Sequence, residues 1–176
     1  LDVYVSAYTR SIGPITIDYT KLNLENIMKS PFYMPDMEAS AKAEDFLVEK
    51  MKECNSVGGV IECVVKGMPV GIGEPVFEKL DANLAKAVMS VGAVKGIEIG
   101  DGFASATMLG ETNNDAFHYE NGTLTKETNH AGGILGGMSD GSDIILRAAI
   151  KPTPSIARTQ HTVNKSNENI EVTIKG

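Results

Sequence analysis

Residues 129–155 read NHAGGILGGMSDGSDIILRAAIKPTPS. Five of the chain's 18 glycines fall between Gly132 and Gly141, and a mostly apolar run, Ile144 to Ile150, then stops at Lys151-Pro152. Glycine pairs flanking Ile134-Leu135 allow positive φ, or close approach of another group with no Cβ in the way. Successive free N–H groups in such turns form anion-binding nests. Lys151 adds a point charge, and Thr153 and Ser155 add hydroxyls, at the end of a predicted strand. The segment reads as one wall of a pocket for a flat, phosphorylated group. Tight packing is the competing explanation for the glycines, at even weight.

Composition narrows the field. The 176 residues suffice for one domain with a substantial core, and 42% hydrophobic with 22% charged residues is a globular balance. A net charge of −7 argues against a general nucleic-acid or anionic-membrane binder, since both need a basic face. Only Arg10, Arg147 and Arg158 carry guanidinium groups, yet multiply charged anions are usually held by bidentate arginine clusters. Cys54 and Cys63 form neither a disulfide framework nor a zinc pattern, and read as reduced thiols of a cytoplasmic protein. No apolar run approaches the ~18 residues that cross a bilayer. The chain starts at Leu1, without methionine and inside a strand-like pattern, which reads as a fragment.

Outward from the opening stretch, the elements alternate. Asp2–Thr9 has a period of two and predicts a half-buried strand, with Gly13-Pro14 turning into Ile15–Tyr19. Asn23–Pro35 reads as a loop. Pro35-Asp36 opens a helix whose apolar stripe is Ala43, Phe46, Leu47 and Met51. Val60–Lys66 is a central strand by β-branched content. Asp81, as N-cap, starts a second helix to Val91, and Ala93–Ile99 is a third strand. Residues 110–128 turn polar and predict a mobile loop. Ile170–Ile174 closes the chain as a strand. The mixture predicts an α+β class. Neither a Rossmann fingerprint nor a Walker A loop is present; Glu74-Pro75 interrupts the glycines at 71 and 73.

Three blocks, GIGEPVFEKLDANLAKAVMSVGAVKGIEIGDGF, NHAGGILGGMSDG and RAAIKPTPSI, together resemble the central segments of the chorismate synthase family in order and spacing. The resemblance covers Gly71 to Ile156, with looser similarity upstream through GGVIECVV. It implies a β-α-β sandwich, of which residues 1–176 are a central fragment of a single domain, assembled as a homotetramer. The implied reaction converts 5-enolpyruvylshikimate 3-phosphate to chorismate and phosphate with reduced FMN. Carried over by position, flavin contacts fall on Gly92 and Ala93, on Gly136, and on Lys151, Pro152, Thr153, Pro154 and Ser155. The family commonly has Asn where Gly92 stands, which removes an amide contact. The family's catalytic histidine motifs and its arginine clamp have no counterpart here, so the fragment alone is expected to be inactive.

The other candidates read more plainly. His118, His130 and His161 lack metal-ligand spacing, and His130 reads as a loop histidine. Glu74, Lys79 and Asp81 read as turn and cap residues, Lys95 as surface, Asp101 and Asp140 as turn formers, and Met89, Met108 and Met138 as packing. The alternative to an enzyme segment is a non-catalytic flavin- or anion-binding or assembly fragment.

Overall fold

The structure is a computed structural model, and it describes residues 2–174. In chain order the elements are β1 (Tyr4–Ile12), β2 (Ile15–Thr16), α1 (Met37–Lys52), β3 (Gly59–Lys66), α2 (Leu80–Met89), β4 (Val94–Ile99), α3 (Gly110–Asn113), β5 (Phe117–Glu120), β6 (Thr123–Lys126), β7 (Ile134–Leu135), β8 (Met138–Ser139), β9 (Ile144–Ile150), β10 (Thr159–Val163) and β11 (Asn169–Thr173). The chain divides into two compact units: Leu1–Tyr8 with Val60–Ile150, and Thr9–Gly59 with Lys151–Gly176.

In the first unit the opening half of β1 lies beside β3, followed by β9 and β4. The β4–β9 ladder is antiparallel, from Val94↔Ile150 to Ile99↔Leu146, with a bulge between Val94 and Gly96. α2 packs on β4. The core joins buried Val65, Ile134 and Ile144 to Val3, Cys63, Met68, Leu80, Leu84 and Ile99. Ile144, 1% exposed, therefore anchors the strand that follows the glycine block. Residues 110–128, read as a loop, carry α3 and the antiparallel β5–β6 hairpin. Its turn is Asn121-Gly122, both at positive φ (51° and 81°). That pairing suits a type I′ turn, whose twist matches the strands it joins.

The second unit holds the end of β1, where Ser11 pairs with Thr16 and Ile12 with Ile15 around Gly13. α1 begins where the sequence expects it. Asp36 Oδ1 accepts from the Glu38 and Ala39 N–H groups at 2.9 and 3.2 Å, satisfying two of the helix's free donors. Its other oxygen accepts from Asp18 N at 3.0 Å. Ala43 is buried, but Met51 is 72% exposed, so the apolar stripe is shorter than the helical period predicts. β10 and β11 form an antiparallel hairpin from Thr159↔Thr173 to Val163↔Asn169.

Two expectations about ends are corrected. The N-cap of α2 is Lys79, not Asp81; Asp81 sits in the first turn, where its charge favours the helix dipole. The second helix also ends at Met89 rather than at Val91.

Candidate functional site

In the first unit, the glycines of the opening stretch divide by what surrounds them. β7 and β8 pair as Ile134↔Ser139 and Leu135↔Met138, and Gly136 and Gly137 at φ 60° and 88° make the turn between them. A Cβ on Gly132 would strike the Gly100 backbone, and one on Gly133 would lie 2.6 Å from the Asp143 carbonyl oxygen. One on Gly137 would lie 2.5 Å from the Lys79 side chain. Packing accounts for these three. Gly136 differs: a Cβ there would meet nothing within 4 Å. Its face is open, so a flat group can lie against the backbone.

Gly92 and Ala93 form the turn between α2 and β4. Gly92 also has open space where a side chain would stand, while Ala93 is held at φ 69°. A left-handed conformation costs a residue bearing a Cβ about 1–2 kcal/mol. The two predicted contacts of this unit sit at opposite ends of α2. The Leu80 N–H, at its start, donates to Gly137 O at 2.8 Å, and Gly92 follows its end. Ten residues at 1.5 Å each separate them by about 15 Å.

A buried ion cluster fastens the β5–β6 hairpin to the glycine block. Lys126 Nζ donates to Asp140 Oδ2 at 2.6 Å and to Asn129 Oδ1 at 3.2 Å, and lies 3.5 Å from Asp115 Oδ2. The three charged side chains are 3–7% exposed. Asp115 also accepts from His130 N at 2.7 Å, Ala131 N at 2.9 Å and Thr128 Oγ1 at 2.7 Å. Burial pushes its pKa up, but donors from Ala131, Thr128 and His130, together with the Lys126 charge, outweigh burial and hold it at about 2. Asp140 is lowered likewise: burial opposes the shift, and Lys126 and Ser142 win. His130 pairs through Nδ1 with Asp101 Oδ2 at 2.5 Å, while Asp101 N donates to His130 O at 2.8 Å. The sequence identified Asp101 and Asp140 only as turn formers, because a side-chain pairing between residues 14 or 29 positions apart leaves no local signature.

Two of the three arginines are already engaged. Arg147 lies 3.8 Å from Glu62 and 3.9 Å from Glu98, and its NH2 donates to the Gly100 carbonyl. Arg10, in the second unit, donates through Nε to Tyr19 OH at 2.9 Å.

The second unit contains the contiguous part of the prediction. Lys151, Pro152, Thr153 and Pro154 line a cavity of about 410 Å³ together with Asn55, Ser56, Ile156 and Gln160. Lys151 through Ser155 are exposed. The Lys151 ammonium and the Thr153 hydroxyl are the polar side-chain groups that this motif brings to the cavity. Asn55, Ser56 and Gln160 were not found from sequence, since they lie outside the motif that marks the wall.

Among the described residues no helix is long and apolar enough to cross a membrane, and no cluster of three metal-ligating side chains occurs. A family model described as "Chorismate synthase" matches residues 1–176. The chain is 61% identical over 176 residues to a chorismate synthase of Agathobacter rectalis and 63% identical over 177 residues to that of Lachnoclostridium phytofermentans. Each match covers 100% of this chain and 48% of the relative, so the chain spans about half the length of the curated relatives it matches. A crystal structure of chorismate synthase superposes with a TM-score of 0.81 at 27% identity, covering 88% of this chain and 50% of that one. The α+β fold expected from the sequence is thus the fold of that structure.

Proposed function

Since the chain belongs to the chorismate synthase family, we propose that it supplies one wall of a reduced-FMN site. The parent enzyme would be a lyase of aromatic biosynthesis that eliminates phosphate from 5-enolpyruvylshikimate 3-phosphate to give chorismate. The observation that carries this is the Lys151–Pro154 segment lining its own cavity. Gly92, Ala93, Gly136 and Lys151 through Ser155 are the proposed cofactor contacts.

Lys151 would meet an anionic or carbonyl oxygen of the cofactor as a point charge, and the hydroxyls of Thr153 and Ser155 would donate beside it. Gly136 and Gly92, with nothing standing over them, would let a planar ring approach the backbone. Bound reduced FMN supplies transient electron density to the carbon–oxygen bond that breaks. Stabilising the departing phosphate is a separate task that calls for clustered cations. This chain has three arginines, two of them engaged as described, so it holds the flavin wall without the substrate clamp.

These 176 residues alone are therefore expected to bind FMN weakly and to form no chorismate. Flavin fluorescence titration and an anaerobic turnover assay with reduced FMN test this; stoichiometric tight binding or measurable chorismate would overturn it. Assembly as a homotetramer in the cytoplasm belongs to the same proposal. It is supported by large apolar side chains left in the open, Phe77 at 87% and Phe103 at 83% exposure. Light scattering of the full-length protein tests the assembly.

A further inference from the structure

The Lys151–Ser155 segment has an unusual backbone problem. Pro152 and Pro154 carry no N–H, so the segment cannot hold itself in a regular ladder. Apart from one local bond, Ile156 N donating to Pro154 O at 3.1 Å, its position depends on donors brought to its carbonyls from elsewhere. The structure shows two. Ser56 Oγ donates to Thr153 O at 2.6 Å, across 97 positions of sequence. Gln160 Nε2 donates to Pro154 O at 3.0 Å. Consecutive carbonyls are thus held by two different side chains, both half-buried, and both lining the cavity that Lys151 lines.

Neither donor is free to wander. Ser56 follows a fixed turn: Cys54 is at φ 53°, Asn55 N donates to Lys50 O at 2.9 Å at the end of α1, and Asn55 Oδ1 accepts from Ser56 N at 3.0 Å. Gln160 lies in β10, where it pairs with Val172 of β11. One clamp is therefore referred to a helix end and the other to a hairpin.

We propose that Ser56 and Gln160 are positioning residues for the cofactor: they fix the Thr153 and Pro154 carbonyls and thereby set where Lys151, Thr153 and Ser155 present their charge and hydroxyls. This rests on the flavin reading of the Lys151–Ser155 segment. Preorganisation of this kind raises affinity by removing an ordering cost, with no contact between clamp and ligand required.

The test uses the full-length protein, with Ser56→Ala, Gln160→Leu and the hydroxyl-retaining Ser56→Thr. FMN dissociation constants are read by fluorescence, and amide exchange of residues 151–160 by mass spectrometry without ligand. Each deletion should raise the FMN dissociation constant about 3- to 10-fold, the scale of one lost hydrogen bond, and speed exchange across 153–158. Ser56→Thr should stay within about twofold of wild type. A general loss of fold would instead speed exchange throughout the chain, and Ser56→Thr would not separate from Ser56→Ala; that result would overturn the proposal. Wild-type FMN affinity in both deletions, with unchanged local exchange, would overturn it while leaving the flavin reading intact. A wild-type protein that binds no FMN would sink the flavin reading and this inference with it.

Discussion

The Lys126 ammonium lies 2.6 Å from the Asp140 carboxylate, and both side chains are more than nine-tenths buried. This pair, with Asp115, links the β5–β6 hairpin to the glycine turns that precede β9. Two carboxylates share one cation, and backbone N–H groups together with the Thr128 hydroxyl supply the rest.

Removing that cation would leave two buried carboxylates without a counter-charge. Lys126→Met is expected to destabilise the chain by about 3–5 kcal/mol, the cost of breaking a buried pair from one side. Urea denaturation checks it. A loss below about 1 kcal/mol would show that water already screens the cluster.

Acid should act through the same residues. Asp115 has a folded pKa of about 2 against an ordinary 3.8. A depressed carboxylate contributes stability that is complete above its unfolded pKa and fades as pH falls toward the folded one. About 2–3 kcal/mol should therefore disappear between about pH 5 and pH 2. Asp115→Asn should flatten that part of the stability profile, measured by denaturant midpoints at stepped pH.

Glycine substitutions should separate packing from binding. A Cβ at Gly100 would be driven into the His130 carbonyl, and the position is at φ 58°, so Gly100→Ala should unfold or severely destabilise the chain. Gly136→Ala meets only open space, and should cost about 1 kcal/mol for its positive φ. Its larger effect is expected on FMN affinity. Comparing thermal midpoints with flavin titrations distinguishes the two; equal effects at both positions would contradict the difference in their surroundings.

Lys151 offers the most direct test of the cofactor wall. In the full-length protein, Lys151→Ala should weaken FMN binding by about 1.5–3 kcal/mol if its ammonium meets a charged oxygen. An unchanged dissociation constant would place Lys151 outside the site.

How much of this could be read beforehand depended on the range of the interaction. The opening of a helix at Pro35-Asp36, Val60–Lys66 as a strand and the break at Pro152 are local, and each left a local mark. The Thr159–Val163 strand was missed because its residues are mostly polar and, Gln160 apart, exposed, so they carry no apolar alternation; pairing with β11 makes it a strand. The Asn121-Gly122 turn was legible in principle, but the polar hairpin around it reads as loop because β5 and β6 bury no apolar side chain. Asp81 looked like a cap by residue type, yet the start of α2 is set by Leu80 N reaching the Gly137 carbonyl. At the candidate site, the glycines were visible and their division into packed and open was not. That division comes from neighbours such as Lys79 and Asp143, which only the folded chain brings close. Ser56 reaches Thr153 across 97 positions, and no spacing rule would connect them.

α2 has one more consequence. With the Gly136-Gly137 hairpin bonded to its first residue and Gly92-Ala93 following its last, the helix acts as a measuring rod between two backbone openings. Its length is not continuously adjustable. One inserted residue would lengthen the span by about 1.5 Å and also turn everything beyond it by about 100°, so register and distance at these two openings can change only together and only in steps.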